Sequence, residues 1–350
     1  MRDLARRLVA VLSVVCAAAP AVLSAPTASA ASRADAVRWA ALGDSYTAGV
    51  FVGEPSPALG LADRDGCDRT TDAYPGLVDR ELAEFPPGRA VELTDVSCGG
   101  AEIRHVARDA QQPGSPVDPP ARAGWPEVDP QVKRAGLDEE TDVVTIGVGG
   151  NDLPFGGLLA TCVQRGAAGQ SCKDFYENPA DGGESIEDEL SRIQDDYIGM
   201  LVEVHSAAPN AKVITVGYPA VLPDDADDCA TGDLTELATI TPDDVDWLRG
   251  VLERLNGTVR QVSGFFGDRY VDVHSSSTGH DACRPADEKW VEGICGDAGE
   301  FWPAELTLPG GLSAPCPEGT RATIVHPNAR GHANTAAHVE RAIRIALLES

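Results

Sequence analysis

Five short runs rich in β-branched and other apolar residues recur along the chain, and amphipathic helical patterns separate the later ones. The runs are residues 36–43 (AVRWAALG), 90–97 (AVELTDVS), 142–150 (DVVTIGVGG), 211–219 (AKVITVGYP) and 268–275 (DRYVDVHS), each bounded by Gly, Asp or Ser as buried parallel strands are. Between the last three, Ile186, Leu190, Ile193, Tyr197, Leu201 and Val204 follow three- and four-residue spacing, and so do Val245, Leu248, Leu252, Leu255, Val259 and Val262. A last helix is expected from about Asn328 through HVERAIRIALL. Strand alternating with helix predicts an α/β fold: a single doubly wound, flavodoxin-like parallel sheet of about five strands, covered by helices on both faces. There is no internal repeat and no clean linker. Residues 51–72, 108–130, 156–183 and 276–322, rich in Gly, Pro, Asp and Cys, read as irregular insertions on that one domain.

The first thirty residues fall outside this pattern. Arg2, Arg6 and Arg7 precede a largely apolar, Ala-rich stretch from Leu8 to Leu23, and ASA at 28–30 is a small-residue cleavage site, so residues 1–30 read as a secretory signal and 31–350 as the mature domain. Cys16 lies in that apolar stretch without the small preceding residue of a lipid-anchoring site. No other segment is long and apolar enough to span a bilayer. The expected product is secreted, monomeric and without stable membrane insertion. Its three Arg and one Asp go with the signal, taking the net charge from −27 to about −29, and a surface that acidic disfavours nucleic acid as a partner. Eight cysteines remain, Cys67, Cys98, Cys162, Cys172, Cys229, Cys283, Cys295 and Cys316. An even count in an exported chain points to four disulfides, and no C-x2-C or zinc-ligand cluster competes with that reading.

In an open parallel sheet, ligands bind where the strands end at their carboxyl termini. The residues just past the first three runs are GDSYTAG with Ser45, SCGGAE with Gly100 and GVGGNDL with Asn151. Gly-Asp-Ser is ordinary turn and helix-cap chemistry on its own. Together, however, the three stretches supply a hydroxyl nucleophile, a glycine whose backbone can approach a substrate closely, and a neutral side-chain amide donor. Such a serine needs a base. Of the histidines, His326 stands out in IVHPNARGH (324–332), where Pro327 reads as the first helical residue and leaves the imidazole in the loop before it. His332 falls inside the expected helix and reads as a packing residue, whereas His105, His205, His274 and His280 lack comparable context, apart from Asp281 beside His280.

These four blocks, GDS with Ser45, the glycine loop with Gly100, G-x-N-D with Asn151 and Asp152, and H-P-N with His326, resemble the SGNH hydrolases, also called GDSL esterases and lipases. GDSYTAG, DRTTDAYP, VSCGGAE, GGNDL and HPNARGH resemble the secreted, disulfide-containing actinobacterial branch in particular, from about residue 37 to 340. The resemblance implies a serine carboxylester hydrolase working through an acyl-enzyme, with no cofactor and no metal. Ser45 would be the nucleophile and His326 the general base, with the Ser45 N–H, the Gly100 N–H and the Asn151 amide as oxyanion hole. Asp44 and Asp152 are expected to hold turns through backbone N–H groups.

Many family members carry an aspartate three residues before the histidine, where this chain has Thr323. The resemblance to the secreted branch therefore implies a Ser-His dyad whose imidazole donates to a main-chain oxygen near Thr323 or Ile324, with a distant Asp as the rival. The same branch implies the pairs Cys67–Cys98 and Cys162–Cys172, and leaves the other four to pair among themselves in an open order. The acidic run 223–233 (PDDADDCATGD) lacks EF-hand register and reads as a solvated loop. The expected substrate is a small-molecule or lipid acyl ester. A non-catalytic carbohydrate- or ligand-binding module on the same fold, and an acyltransferase using the same acyl-enzyme, are the alternatives.

Overall fold

A computed structural model describes residues 36–83, 89–115, 125–178, 184–297, 307–308, 312–313 and 316–349; the expected signal at 1–30 lies outside them. Strands β1 (Val37–Gly43), β2 (Val91–Asp95), β3 (Val143–Gly147), β4 (Lys212–Val216) and β5 (Arg269–Val271) form one parallel sheet in the order β2-β1-β3-β4-β5. The expected α/β doubly wound class is what the chain adopts.

Alternation along the strands divides the core in two. Val37, Trp39 and Ala41 of β1 and Ile214 and Val216 of β4 face one side, and Leu42, Val144, Ile146 and Val213 face the other. The first side is covered by α2 (Tyr74–Leu82) and α10 (Ala329–Leu348). The second is covered by α3 (Ile103–Ala107), α5 (Phe155–Ala167), α7 (Ile186–Ala207) and α8 (Pro242–Phe266). Short helices α1 (Ser45–Ala48), α4 (Gln131–Arg134), α6 (Cys172–Glu177) and α9 (Val273–Ser277) complete the layers.

The long helices start where cap chemistry says they should. Ser185 and Asp188 form a reciprocal capping box on α7, and Thr241 caps α8 just ahead of Pro242. Two expectations are corrected. Of the expected irregular stretch 156–183, the described part 156–178 is largely helical: α5 and α6 lie there, because burial of Leu158, Leu159 and Cys162 and the Cys162–Cys172 bridge outweigh the low helix propensity of the glycines. The run 268–275 stops as a strand at Val271, since Asp272 accepts from the Ser275 N–H and caps α9 instead.

Beyond β5 the chain makes the short strands β6 (Cys295–Asp297), β7 (Thr307–Leu308), β8 (Leu312–Ser313) and β9 (Thr320–Ala322), with β6 and β9 paired antiparallel. That ribbon leads into the segment carrying His326. Four disulfides join Cys67 to Cys98, Cys162 to Cys172, Cys229 to Cys283 and Cys295 to Cys316. The last two settle the pairing that the sequence left open.

Candidate active site

β1 lies between β2 and β3, so the connections from β1 and β3 leave the sheet in different directions and open a crevice at its carboxyl edge. Ser45 begins α1 in that crevice. Its entry is fixed by Asp44, whose carboxylate accepts from the Tyr46 N–H, and by the Asp44 N–H, which donates to the Gly147 carbonyl at the end of β3. Buried Gln131 secures the preceding residue by donating to the Gly43 carbonyl and accepting from the Gly43 N–H.

His326 reaches Ser45 from the opposite side. Its Nε2 lies 2.9 Å from Ser45 Oγ, and its Nδ1 lies 3.0 Å from both the Thr323 and the Ile324 carbonyl oxygens. Carbonyl oxygens only accept, so the proton sits on Nδ1 and the Nε2 lone pair faces the serine hydroxyl. Among the described residues, main-chain oxygens alone accept from Nδ1; Asp281 accepts from the Cys283 N–H and from Arg284. Burial holds the imidazole pKa down to about 4, against the opposing pull of the two carbonyls. Tyr46 and Phe51 enclose the ring, with centroids 5.0 and 5.1 Å away.

The oxyanion candidates occupy the neighbouring loops. Asn151 donates from Nδ2 to the Ala101 carbonyl at 2.9 Å, which uses one of its two amide hydrogens and ties the β3 loop to the glycine loop. Asp152 reinforces the same tie by accepting from the Ile103 N–H, and burial lifts its pKa to about 7. Gly100 has φ 72, and a Cβ there would meet nothing nearer than 4.0 Å. The glycine is required by its left-handed backbone rather than by lack of room. The Cys98 N–H donates to the Gly43 carbonyl, which anchors this loop beside β1.

Residues that the sequence reading passed over complete the site. The Tyr218 hydroxyl donates to Asp44 and accepts from the Gly150 N–H, joining the ends of β1, β3 and β4. Its position at the carboxyl end of the fourth strand run, 211–219, was the available signal. Burial of Asp44 raises its carboxyl to about 6, with the Tyr218 and Tyr46 bonds pulling the other way. The Tyr46 hydroxyl donates to the Val325 carbonyl at 2.7 Å, so the residue beside Ser45 also grips the residue beside His326.

The turn before His326 is strained. Ile324 and Val325 have φ 48 and 53, a region in which β-branched residues are outliers, at about 1–3 kcal/mol each. Pro327 is not the first helical residue as expected: Asn328 is the N-cap of α10, accepting from Arg330 and Gly331, and Pro327 precedes it. Asparagine outcompetes its neighbours there because its side-chain oxygen satisfies two otherwise unpaired N–H groups.

Four other histidines are engaged elsewhere. His332 is buried against the Tyr74 N–H, His105 caps α3, His205 pairs with Asp268, and His280 stacks on Trp290. A narrow pocket of about 80 Å³ opens at Ser45 and His326, with Phe155, Leu159, Val221, Leu252, Ile324 and Val325 among its walls. Roomier clefts of about 510 and 640 Å³ lie elsewhere, around Arg38 and Glu92 and around Lys289 and Arg330. Among the described residues the grouping with metal-ligand geometry is Cys229, Glu236 and Cys283, whose two sulfurs are already bonded to each other.

Comparison with known proteins identifies relatives of the whole domain. The profile of the GDSL-like lipase/acylhydrolase family matches residues 41–333. Lipase 2 of Streptomyces coelicolor is 32% identical over 308 residues, covering 86% of this chain and 83% of its own. An esterase of Streptomyces scabiei is 28% identical over 297 residues, covering 79% and 81%. Among solved structures, an extracellular lipase from Streptomyces rimosus superposes with a TM-score of 0.51 at 21% identity, over 89% of this chain and 100% of that one.

Proposed function

The chain belongs to the GDSL-like lipase/acylhydrolase family and is thereby an ester hydrolase, and on that premise we propose that it is a secreted carboxylesterase in which Ser45 and His326 form the catalytic pair. The observation that carries this reading is the 2.9 Å approach of His326 Nε2 to Ser45 Oγ, with Nδ1 committed to carbonyl oxygens. The Ser45 hydroxyl proton passes to Nε2 as Oγ attacks the acyl carbon, and the carbonyl electron pair moves onto the ester oxygen. The Ser45 N–H, the Gly100 N–H and the second Asn151 amide hydrogen receive that oxyanion. The proton on Nε2 then goes to the leaving alcohol, which departs and leaves an acyl group on Ser45. Water, deprotonated by the same nitrogen, attacks the acyl carbon; the bond from that carbon to Oγ breaks, the proton on Nε2 returns to Ser45 Oγ, and the acid is released.

Export is supported by the basic and apolar first thirty residues and by four disulfides, which persist in oxidising compartments. The Streptomyces rimosus lipase of similar fold is extracellular. None of the described helices is long and apolar enough to cross a membrane.

The test is hydrolysis of p-nitrophenyl esters from acetate to palmitate by wild type and Ser45→Ala in parallel. Turnover should fall by at least about 10⁴-fold in the variant, as loss of a serine nucleophile does elsewhere, with the melting temperature unchanged. Retained turnover would remove Ser45 from the chemistry.

A further inference from the structure

In the segment that precedes His326, backbone conformation and residue type conflict. Glycine or asparagine would adopt the left-handed conformation of residues 324 and 325 with little strain, yet the chain places isoleucine and valine there, at φ 48 and 53. The main-chain N–H groups are fully committed on the far side. Those of Thr323 and Ile324 donate to the Ile294 carbonyl and that of Val325 to Gly293. What the turn directs toward the site is therefore its carbonyls: those of Thr323 and Ile324 at His326 Nδ1, and that of Val325 at the Tyr46 hydroxyl. Both residues belong to the lining of the pocket that opens at Ser45, together with Leu159, Val221 and Leu252. A good turn has no use for Ile and Val, but an apolar wall does.

We infer that Ile324 and Val325 couple acyl recognition to positioning of the base, so that an acyl chain packed on their side chains holds the strained turn and, through its carbonyls, the imidazole. The inference rests on the proposed roles of Ser45 and His326. A carboxylate partner would draw the imidazolium toward itself by charge, wherever small relaxations left it. Neutral carbonyls orient the ring only as well as the turn is held. The bonds to Ile294 and Gly293 hold that turn from behind and Tyr46 holds it from the site, and the substrate supplies a second clamp on the site's side. Because the acyl group stays in the pocket from first attack until release of the acid, the second clamp acts in both halves of turnover. Chain-length preference is then expressed in kcat and not in KM alone, the mark of binding realised at the transition state. Ile324 and Tyr46 are positioning residues in this scheme.

The experiment measures kcat and KM separately on p-nitrophenyl acetate, butyrate and octanoate for wild type, Ile324→Gly, Ile324→Val and Tyr46→Phe, with Ser45→Ala as the blank. Wild-type kcat should rise by about tenfold from acetate to the best longer ester, and Ile324→Gly should flatten that ratio to within about twofold. Tyr46→Phe should act in the opposite sense, lowering kcat on acetate by about tenfold and on the best longer ester by less than about threefold, because the acyl chain substitutes for the lost clamp. If Ile324→Gly does not fold, Ile324→Val, which keeps the branched carbon and removes one methylene, reads the same ratio at an intermediate value. A wild-type kcat independent of chain length, an equal loss on every ester in the Ile324 variants, or effects confined to KM would each overturn the coupling. Full activity in the Ser45→Ala blank would show instead that the underlying assignment of the nucleophile is wrong.

Discussion

The turn that carries Ser45 is built from residues suited to its backbone, whereas the turn that carries His326 is not. On the nucleophile side, Asp44 caps a short helix, Gly49 closes it in the left-handed region at φ 74, and Gln131 pairs with both polar backbone groups of Gly43. Asp44, Gly43 and Gly49 hold conformations suited to their residue types before substrate arrives. On the histidine side, two β-branched residues are held at φ 48 and 53 by bonds to Gly293 and Ile294 just ahead of β6 and by the Tyr46 hydroxyl in front. Strain of this kind persists only where surrounding contacts over-determine it. The proposed nucleophile and oxyanion donors are thus preorganised by local chemistry, and the proposed base is preorganised by its surroundings.

The largest effect that tests this contrast lies on the relaxed side. If the oxyanion donors are fixed by local bonds, removing one should cost only that donor. Asn151→Ala is expected to lower kcat by about 10²–10³-fold with KM within a few-fold, as for other oxyanion-hole amides. Its melting temperature should stay within a few degrees, since the tie between the loops survives through Asp152 and the Ile103 N–H. A rate loss accompanied by a large fall in stability would show that Asn151 mainly holds the loops together.

The contrast also explains what could be read in advance. Strand ends, caps and the spacing of apolar residues are local signals, and they placed Ser45, Gly100 and Asn151 on adjacent loops and His326 just ahead of α10. The strain at Ile324 and Val325 left no such trace, because nothing about an Ile-Val pair announces a left-handed turn. It follows from bonds to Gly293 and Ile294, some thirty residues earlier in the chain. Tyr218 was similarly hidden: its partners Asp44 and Gly150 are distant in sequence and meet it only across β1, β3 and β4. Helix α5 was missed because Gly156 and Gly157 argue against a helix locally, while its stability comes from packing and a disulfide.

A smaller and more selective effect is expected in the pH profile. The imidazole must be neutral to accept the Ser45 proton, and burial without a carboxylate partner lowers its pKa from 6.5 to about 4. Activity should therefore be lost as pH falls through a limb well below 6.5 in kcat/KM, measured with an ester stable in acid. A carboxylate at Nδ1 would stabilise the imidazolium and move that limb to 6.5 or above. Finding it there would mean that an acid orients His326 in solution, and the two sides of the site would no longer differ in kind.

The smallest effect compares the disulfides that flank the two turns. Cys67–Cys98 closes 31 residues beside the nucleophile's strand, and Cys295–Cys316 closes 21 residues in the ribbon beneath the histidine turn. Loops of such similar size should lose similar stability, about 3 kcal/mol each, when paired cysteines are replaced by serine. Their rates should differ. The nucleophile turn keeps its caps and its Gln131 clamp without Cys67–Cys98, so kcat should change by less than about threefold. Without Cys295–Cys316, β6 can shift against β9, and the carbonyls of Ile294 and Gly293 that hold residues 323–325 shift with it. A loss in kcat of about five- to tenfold is expected there, read well below the melting temperature of both variants. Equal rate losses would place the precision of the base in the sheet as a whole, not in the strained turn.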